Sequence, residues 1–422
     1  MRNKAKQLIK HPLISGSILL VFGSLFANLF NFIFSVVMGK MLTQGGDFGT
    51  LNSITAVITL PTVIANAITP LVIILAGTYF AQKQYDLIRG LYIKLSKIFL
   101  VISLIFCTAF FIFIPQINTF FHINDNYLLI LTDLIIFLSI MTAVNISFIQ
   151  AKLAFKFFVL ILCSTTIIKL VFAWIFVSAG FKVIGGVAGI FLGLLIPYLM
   201  SFIPLKFIFS SKIKSSPKID TKIFITYGIP AAVVSLGLSG FITNDLILVK
   251  HYFNPALTDL YSGMSLMGRI IFFVSAPIAS VMFPLIVQQH AKKEKFTTTF
   301  LLSLFLILLS SIAITVFYVL FPKFSVLFIL KKEYLAIIPY LTFFSIFITV
   351  YSLVSIIASF YLSIKKTKIA IPVIIAAILQ VILITLFHQN IRQIIIISFG
   401  LNAFLLLCLL LYYPFAIKRE KI

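Results

Sequence analysis

Acidic residues are scarce in this 422-residue chain: ten Asp and Glu stand against 33 Lys and Arg, and charged residues of both signs make up only 10% of it. That scarcity excludes a water-soluble fold, because a soluble helix needs a polar face and these segments are apolar all round. Cysteine is nearly missing as well. Cys107, Cys163 and Cys408 fall in separate apolar runs without paired spacing, which removes a disulfide framework and leaves them as small core residues. No GxxxxGK[ST] phosphate loop occurs, since Gly39-Lys40 is followed by Met41, so the chain is not itself an ATP-driven pump. His11, His122, His251, His290 and His388 are scattered, and HExxH is absent. No metal and no cofactor is therefore expected.

What the chain has in abundance is long hydrophobic runs. Hydrophobic residues are 61% of the sequence and the mean hydropathy is +1.18. A run longer than ~18 apolar residues reads as a membrane span. Spans are predicted near 14–40, 49–80, 94–116, 127–150, 158–180, 183–208, 222–249, 257–290, 299–322, 336–363, 370–388 and 393–416. The first follows the basic stretch Met1 to Lys10 but lacks a small-residue cleavage site, so it is read as a retained helix rather than a secretory signal. The expected fold is an all-α polytopic membrane protein. Its connections are too short to fold into a catalytic domain, so no enzyme is expected and the helix bundle is left as the seat of function.

The basic residues are distributed unevenly between alternate loops. With both termini on one side, that side carries 24 Lys and Arg and the other 7, while Lys169 and Arg269 fall within spans. The asymmetry places the N- and C-termini in the cytoplasm and the protein in the cytoplasmic membrane. The loop with Lys323, Lys331 and Lys332 runs against the pattern. The lysines form no soluble basic face and are not interleaved with stacking aromatics, so nucleic acid is not a partner; membrane lipids are.

The longest polar interruption, Ser210 to Lys222, is rich in Ser and Lys and contains Pro217. It suggests an N-terminal six-helix lobe over 1–210, a cytoplasmic linker over 211–221 and a C-terminal six-helix lobe over 222–422. The halves look alike in outline. Each opens with a long helix, turns through Asp47-Phe48-Gly49 or Asp259-Leu260-Tyr261, and continues into a long helix carrying two prolines, Pro61 and Pro70 or Pro277 and Pro284. Six spans per half make the repeats parallel, and a central cavity between two such lobes is the expected substrate site. The four prolines are hinge candidates, although proline is also simply commoner in membrane helices than in soluble ones.

A charge at membrane depth costs ~2.5 to 3.5 kcal/mol even on the mild insertion scale, so each one calls for a reason. Lys169 stands near the middle of its span and either meets substrate or forms a structural ion pair. Arg269, roughly 13 Å below the end of its helix at ~1.5 Å per residue, either binds a phosphate bidentately or bridges to Asp245. Asp245 and Asp133 lie nearer their helix ends, where a coupling role competes with a local pair. Asn28 and Asn31 share one helix face, and Asn66, Asn145, Gln150, Gln380 and Asn402 are further amides within spans. Such amides either tie neighbouring helices together or line a cavity.

Several stretches taken together resemble a known family. The basic N-terminus, Gly16-Ser17 and Gly23-Ser24 before Asn31-Phe32, Met38-Gly39-Lys40-Met41-Leu42 and the Phe48-Gly49 turn look like the start of bacterial polysaccharide or oligosaccharide flippases, the O-antigen (Wzx-like) type. In the second half Asp245 with Leu248, Tyr261, Gly268-Arg269-Ile270-Ile271-Phe272-Phe273 running to Pro277, and Met282-Phe283-Pro284 look alike too. The turn Gln44-Gly45-Gly46-Asp47 departs from the pattern, where proline and tyrosine are more typical. The family belongs to the multidrug/oligosaccharidyl-lipid/polysaccharide (MOP) exporter superfamily. The resemblance implies two six-helix lobes around a central cavity and movement of an undecaprenyl-linked glycan from the inner to the outer leaflet, with polysaccharide-assembly proteins as possible partners. Lys169 and Arg269 are then the expected head-group contacts. A cation-coupled multidrug exporter of the same superfamily is the alternative, and a membrane-embedded glycan polymerase or transferase a further one.

Overall fold

The computed structural model describes residues 12–43, 45–67, 69–123, 125–210, 226, 228–291 and 293–418. Among these residues the secondary structure is helical throughout, and twelve helices are long and apolar enough to cross a membrane. The expectation of an all-α chain with about twelve spans is met. In hydrocarbon no water satisfies backbone N–H and C=O groups, so a helix, which pairs them within one segment, is the form such runs must take.

The chain forms two compact units. The first comprises Met1–Phe34 and Ile64–Phe224, the second Ser35–Val63 and Ile225–Ile422. The expected linker 211–221 lies outside the described residues, and the segment Ser35–Val63 groups with the second unit although it precedes that linker by far. The chain therefore passes from one unit to the other within α1 (Pro12–Met41) and again within α2 (Asp47–Ala67).

The first unit continues through α3 (Thr69–Ala81), α4 (Tyr85–Ile112), the short α5 (Ile114–Phe121), α6 (Asn126–Ala151), α7 (Phe155–Ser178), α8 (Lys182–Ser201) and α9 (Lys206–Ser210). Its tightest packing is α7 on α8. Gly185, Gly189 and Gly193 recur every fourth residue on one face of α8, and a Cβ on Gly189 would fall 2.5 Å from the backbone nitrogen of Ala173. Small residues at this spacing let two membrane helices touch backbone to backbone, where dispersion replaces the missing hydrophobic drive. Gly189→Leu is expected to force α7 and α8 apart and to lower the thermal unfolding midpoint of the purified protein; an unchanged midpoint would refute the account. After α6, Lys152 donates to the carbonyl of Pro204 at 3.0 Å and lies 4.2 Å over the Phe207 ring. Burial there pushes the pKa of the ammonium down from its ordinary value.

The second unit holds the end of α1, most of α2, α10 (Ile229–Tyr252), α11 (Pro255–Ala291), α12 (Thr297–Leu320), α13 (Pro322–Ile329), α14 (Ile338–Ser363), α15 (Ala370–Leu386) and α16 (Ile391–Lys418). The loop that ran against the charge pattern is mostly ordered: it contains α13 and a 3-10 turn over Lys332–Ile337, and Lys40 reaches the carbonyl of Phe328 at 3.2 Å. Pro61, Pro277 and Pro284 lie inside their helices, whereas Pro70 is the second residue of α3, where a missing N–H costs nothing.

Candidate functional site

Three polar clusters stand out, and two of them contain residues singled out by sequence. In the first unit, the ammonium of Lys169 on α7 donates to the side-chain oxygen of Asn31 on α1 and lies 4.4 Å over the ring of Phe34. Gly193 makes room for this lysine, since a Cβ there would fall 2.7 Å from the Cβ of Lys169. A half-buried cation is thus held by an amide and an aromatic face. Asn28 is half-buried one turn earlier on α1.

Asn145, in contrast, is a structural tie. It accepts from the Tyr92 hydroxyl at 2.8 Å and donates to Ser201 at 2.7 Å, joining α4, α6 and α8 in the buried interior. Gln150 is half-buried and Asn66 exposed. Asp133 stands apart from Lys169's contacts and faces α4, where the Cys107 thiol approaches its backbone carbonyl at 3.6 Å. Its Oδ1 is buried and meets no hydrogen-bond donor.

The second cluster lies wholly in the second unit. Asp245 on α10 is 2% exposed, accepts from the Tyr261 hydroxyl at 2.6 Å and from the backbone N–H of Leu246 at 2.8 Å. Arg269 lies two turns beyond Tyr261 on α11 and shares with Asp245, Ser265 and Tyr351 the lining of a cavity of about 10 Å³, room for roughly one water. Asp245 and Tyr351 interact with the guanidinium through space, but no direct ion pair joins it to Asp245 among the described residues. Tyr261 is the residue that sequence reasoning missed: it was visible only as part of a turn, and it, not the nearby Lys250, holds the carboxylate.

The third cluster was not anticipated. Asp259 on α11 grips the start of α2, its two oxygens accepting from the N–H groups of Gly46 at 3.0 Å and Gly49 at 2.7 Å. Lys250, itself buried, interacts with Asp259 and Asp47. The carboxylate sits where the helix leaves its first N–H groups without partners and where the dipole favours negative charge. The approach is close: a Cβ on Gly46 would come within 2.6 Å of Pro255, and one on Gly49 within 2.4 Å of Thr258. Gly46 also has φ +82°, a backbone that glycine adopts without strain. The turns 47–49 and 259–261 that the sequence pairs as equivalents thus meet.

A further amide network ties α10, α15 and α16. Gln380 donates to the carbonyl of Phe241 at 3.1 Å and to Ser398 at 2.9 Å, and Asn402 donates to the Ser398 carbonyl at 2.9 Å. Among the described residues no group of His, Cys, Asp and Glu is placed to hold a metal ion.

The fold defined by these helices is that of a class of membrane transport proteins. A multidrug resistance MATE family transporter of the MOP superfamily, solved in an inward-facing conformation, superposes with a TM-score of 0.73 at 14% identity over 94% of this chain and 95% of that one. The lipid II flippase MurJ, in an inward closed conformation, gives 0.70 at 16% identity over 95% and 87%. An outward-facing multidrug resistance MATE family transporter gives 0.66 at 13% over 96% of each chain. No protein-family model and no curated protein matches the sequence. At these identities the likeness is one of fold.

Proposed function

We propose that the protein is a transporter of the MOP type that flips an undecaprenyl-(pyro)phosphate-linked oligosaccharide from the inner to the outer leaflet of the cytoplasmic membrane, its termini in the cytoplasm. The observation that carries this reading is Arg269, a guanidinium deep in an apolar helix that lines a one-water cavity beside Asp245, Ser265 and four apolar side chains without a direct ion pair to Asp245. A charge so placed is costly unless something uses it, and planar bidentate donors suit phosphate. Lys169 supplies a second cation in the other unit, held by Asn31. Each is by itself a candidate contact for the anionic head group while the prenyl chain stays in lipid, and the fold shared with a lipid II flippase supports the substrate class. The sugar-facing groups in this reading are amides such as Asn28, Asn66 and Gln150.

A cation-coupled exporter is the second reading, and one observation favours it: the Oδ1 of Asp133 is buried without a donor, as a carboxylate awaiting a proton or cation would be. The experiment compares leaflet accessibility of a lipid-linked oligosaccharide in proteoliposomes for the intact protein and Lys169→Ala. Transfer by the intact protein, and its reduction by roughly tenfold in the variant, is the expected result. No transfer by well-folded intact protein across several glycans, together with Asp133-dependent extrusion of an organic cation, would replace the flippase with the exporter.

A further inference from the structure

At one end of α16 the second unit has a cavity that none of the three polar clusters uses. It is lined by Lys365, Lys366, Thr367, Lys368, Tyr412, Phe415 and Ala416, offers about 780 Å³ of water-accessible space open on one side, and has no carboxylate among its described lining residues. Lys365 and Lys368 are exposed. The lysines are concentrated by a forced turn: α14 ends, Lys365 takes a left-handed φ of 58°, and a 3-10 turn over Thr367–Ile369 leads directly into α15. The opposite wall is fixed, since the Tyr361 hydroxyl donates to the carbonyl of Leu409 at 2.6 Å and its ring packs 5.3 Å from that of Tyr412.

Two apolar tracks run from this basic cavity. On α16, Phe415 and Leu411 are 72% and 71% exposed, and Leu407 and Phe404 continue the same stripe at helical spacing. At ~1.5 Å per residue the stripe is about 16 Å long, close to the reach of one fatty acyl chain. On α15, Ile371, Ile375, Ile378 and Ile382 form a second exposed stripe beginning beside the lysines. A polar anion-binding head with two adjoining hydrocarbon tracks has the chemistry of a two-chain anionic lipid. A free phosphate would have no use for the tracks, and an acidic protein segment none for their depth in the bilayer.

We propose that the cavity at 365–368 is a binding site for the phosphate head group of an anionic bilayer phospholipid, whose acyl chains lie along α15 and α16. The site is separate from the Asp245–Arg269 cluster and does not depend on what the protein transports. Lys365, Lys366 and Lys368 hold the phosphate oxygens, and the aromatic wall of Tyr412 and Phe415 sits at the glycerol level, where amphipathic rings are favoured.

The test is native mass spectrometry of the purified full chain titrated with phosphatidylglycerol, phosphatidylcholine, glycerophosphoglycerol and inorganic phosphate. The variant Lys365→Gln/Lys366→Gln/Lys368→Gln is compared with Lys83→Gln/Lys293→Gln/Lys295→Gln, which removes the same charge from other exposed loops. Phosphatidylglycerol is expected to bind in preference to phosphatidylcholine, and to lose on the order of tenfold or more in affinity in the first variant with less than about a twofold change in the second. Equal losses in both variants, or none in either, would overturn the site. Binding of glycerophosphoglycerol or inorganic phosphate as tight as that of the lipid would overturn the role of the hydrocarbon tracks. Five of the six lysines lie in loops between helices and Lys368 in the 3-10 turn before α15, and a melting curve for each variant checks that the fold is retained.

Discussion

Arg269→Ala is expected to reduce lipid-linked oligosaccharide transfer about 100-fold, because it removes two charge-assisted hydrogen bonds that a bidentate guanidinium gives to a phosphate. Arg269→Lys keeps the charge but not the fork, and is expected to fall between the two, roughly tenfold below the intact protein. Asp245 gives the control. The carboxylate shares the cavity with Arg269 and competes with any anion for it. Asp245→Asn keeps its oxygen as acceptor for the Leu246 N–H and turns its amide NH2 into a donor to the Tyr261 hydroxyl oxygen while removing that competition, so the apparent affinity for the lipid phosphate is expected to rise. If Arg269 served only to offset the buried Asp245, the double variant Arg269→Ala/Asp245→Asn would recover transfer, since no uncompensated charge would remain. If Arg269 contacts substrate, the double variant stays as inactive as Arg269→Ala. Transfer measured in proteoliposomes for the four variants separates the two roles.

The second large effect is expected at Asp259. Its carboxylate satisfies the N–H groups of both Gly46 and Gly49 and is buried beside Lys250. Asp259→Ala leaves two buried donors unpaired and deprives Lys250 of a partner charge, a cost on the order of 3–5 kcal/mol. Asp259→Asn keeps one oxygen acceptor and is expected to lose about half as much. Gly49→Val tests the same contact from the other side, because the added atoms meet Thr258, where even a Cβ would lie at 2.4 Å. The measurement is the thermal unfolding midpoint in one detergent, and the expected order is intact protein, Asp259→Asn, then Asp259→Ala. An alanine variant as stable as the intact protein would show that the grip contributes nothing and that water serves the two N–H groups equally well.

Some of this was legible in the residues. The α8 glycines stand at 185, 189 and 193, and that spacing alone marks a face of close helix contact. The exposed stripes of α15 and α16 follow helical periodicity and could be drawn from the chain without coordinates. Asn31 and Lys169 were each marked as polar residues at membrane depth, but their pairing across 138 positions was not. The sequence leaves Asn145 open between a tie and a cavity lining, and only the positions of Tyr92 and Ser201 make it a structural tie. Asp259 was noticed as part of a turn and not as a ligand of another helix.

The division has a physical basis. Sequence by itself determined what depends on neighbours along the chain: the number and length of the spans, because an apolar run in lipid has no form but a helix, and the charge asymmetry between alternate loops. Tertiary structure decided what depends on distant partners. The grip of Asp259 on Gly49 spans 210 positions and that of Tyr261 on Asp245 joins two helices. It also decided that Ser35–Val63 groups with the second unit, since glycines at 46 and 49 let the start of α2 approach α11 more closely than any side chain would permit.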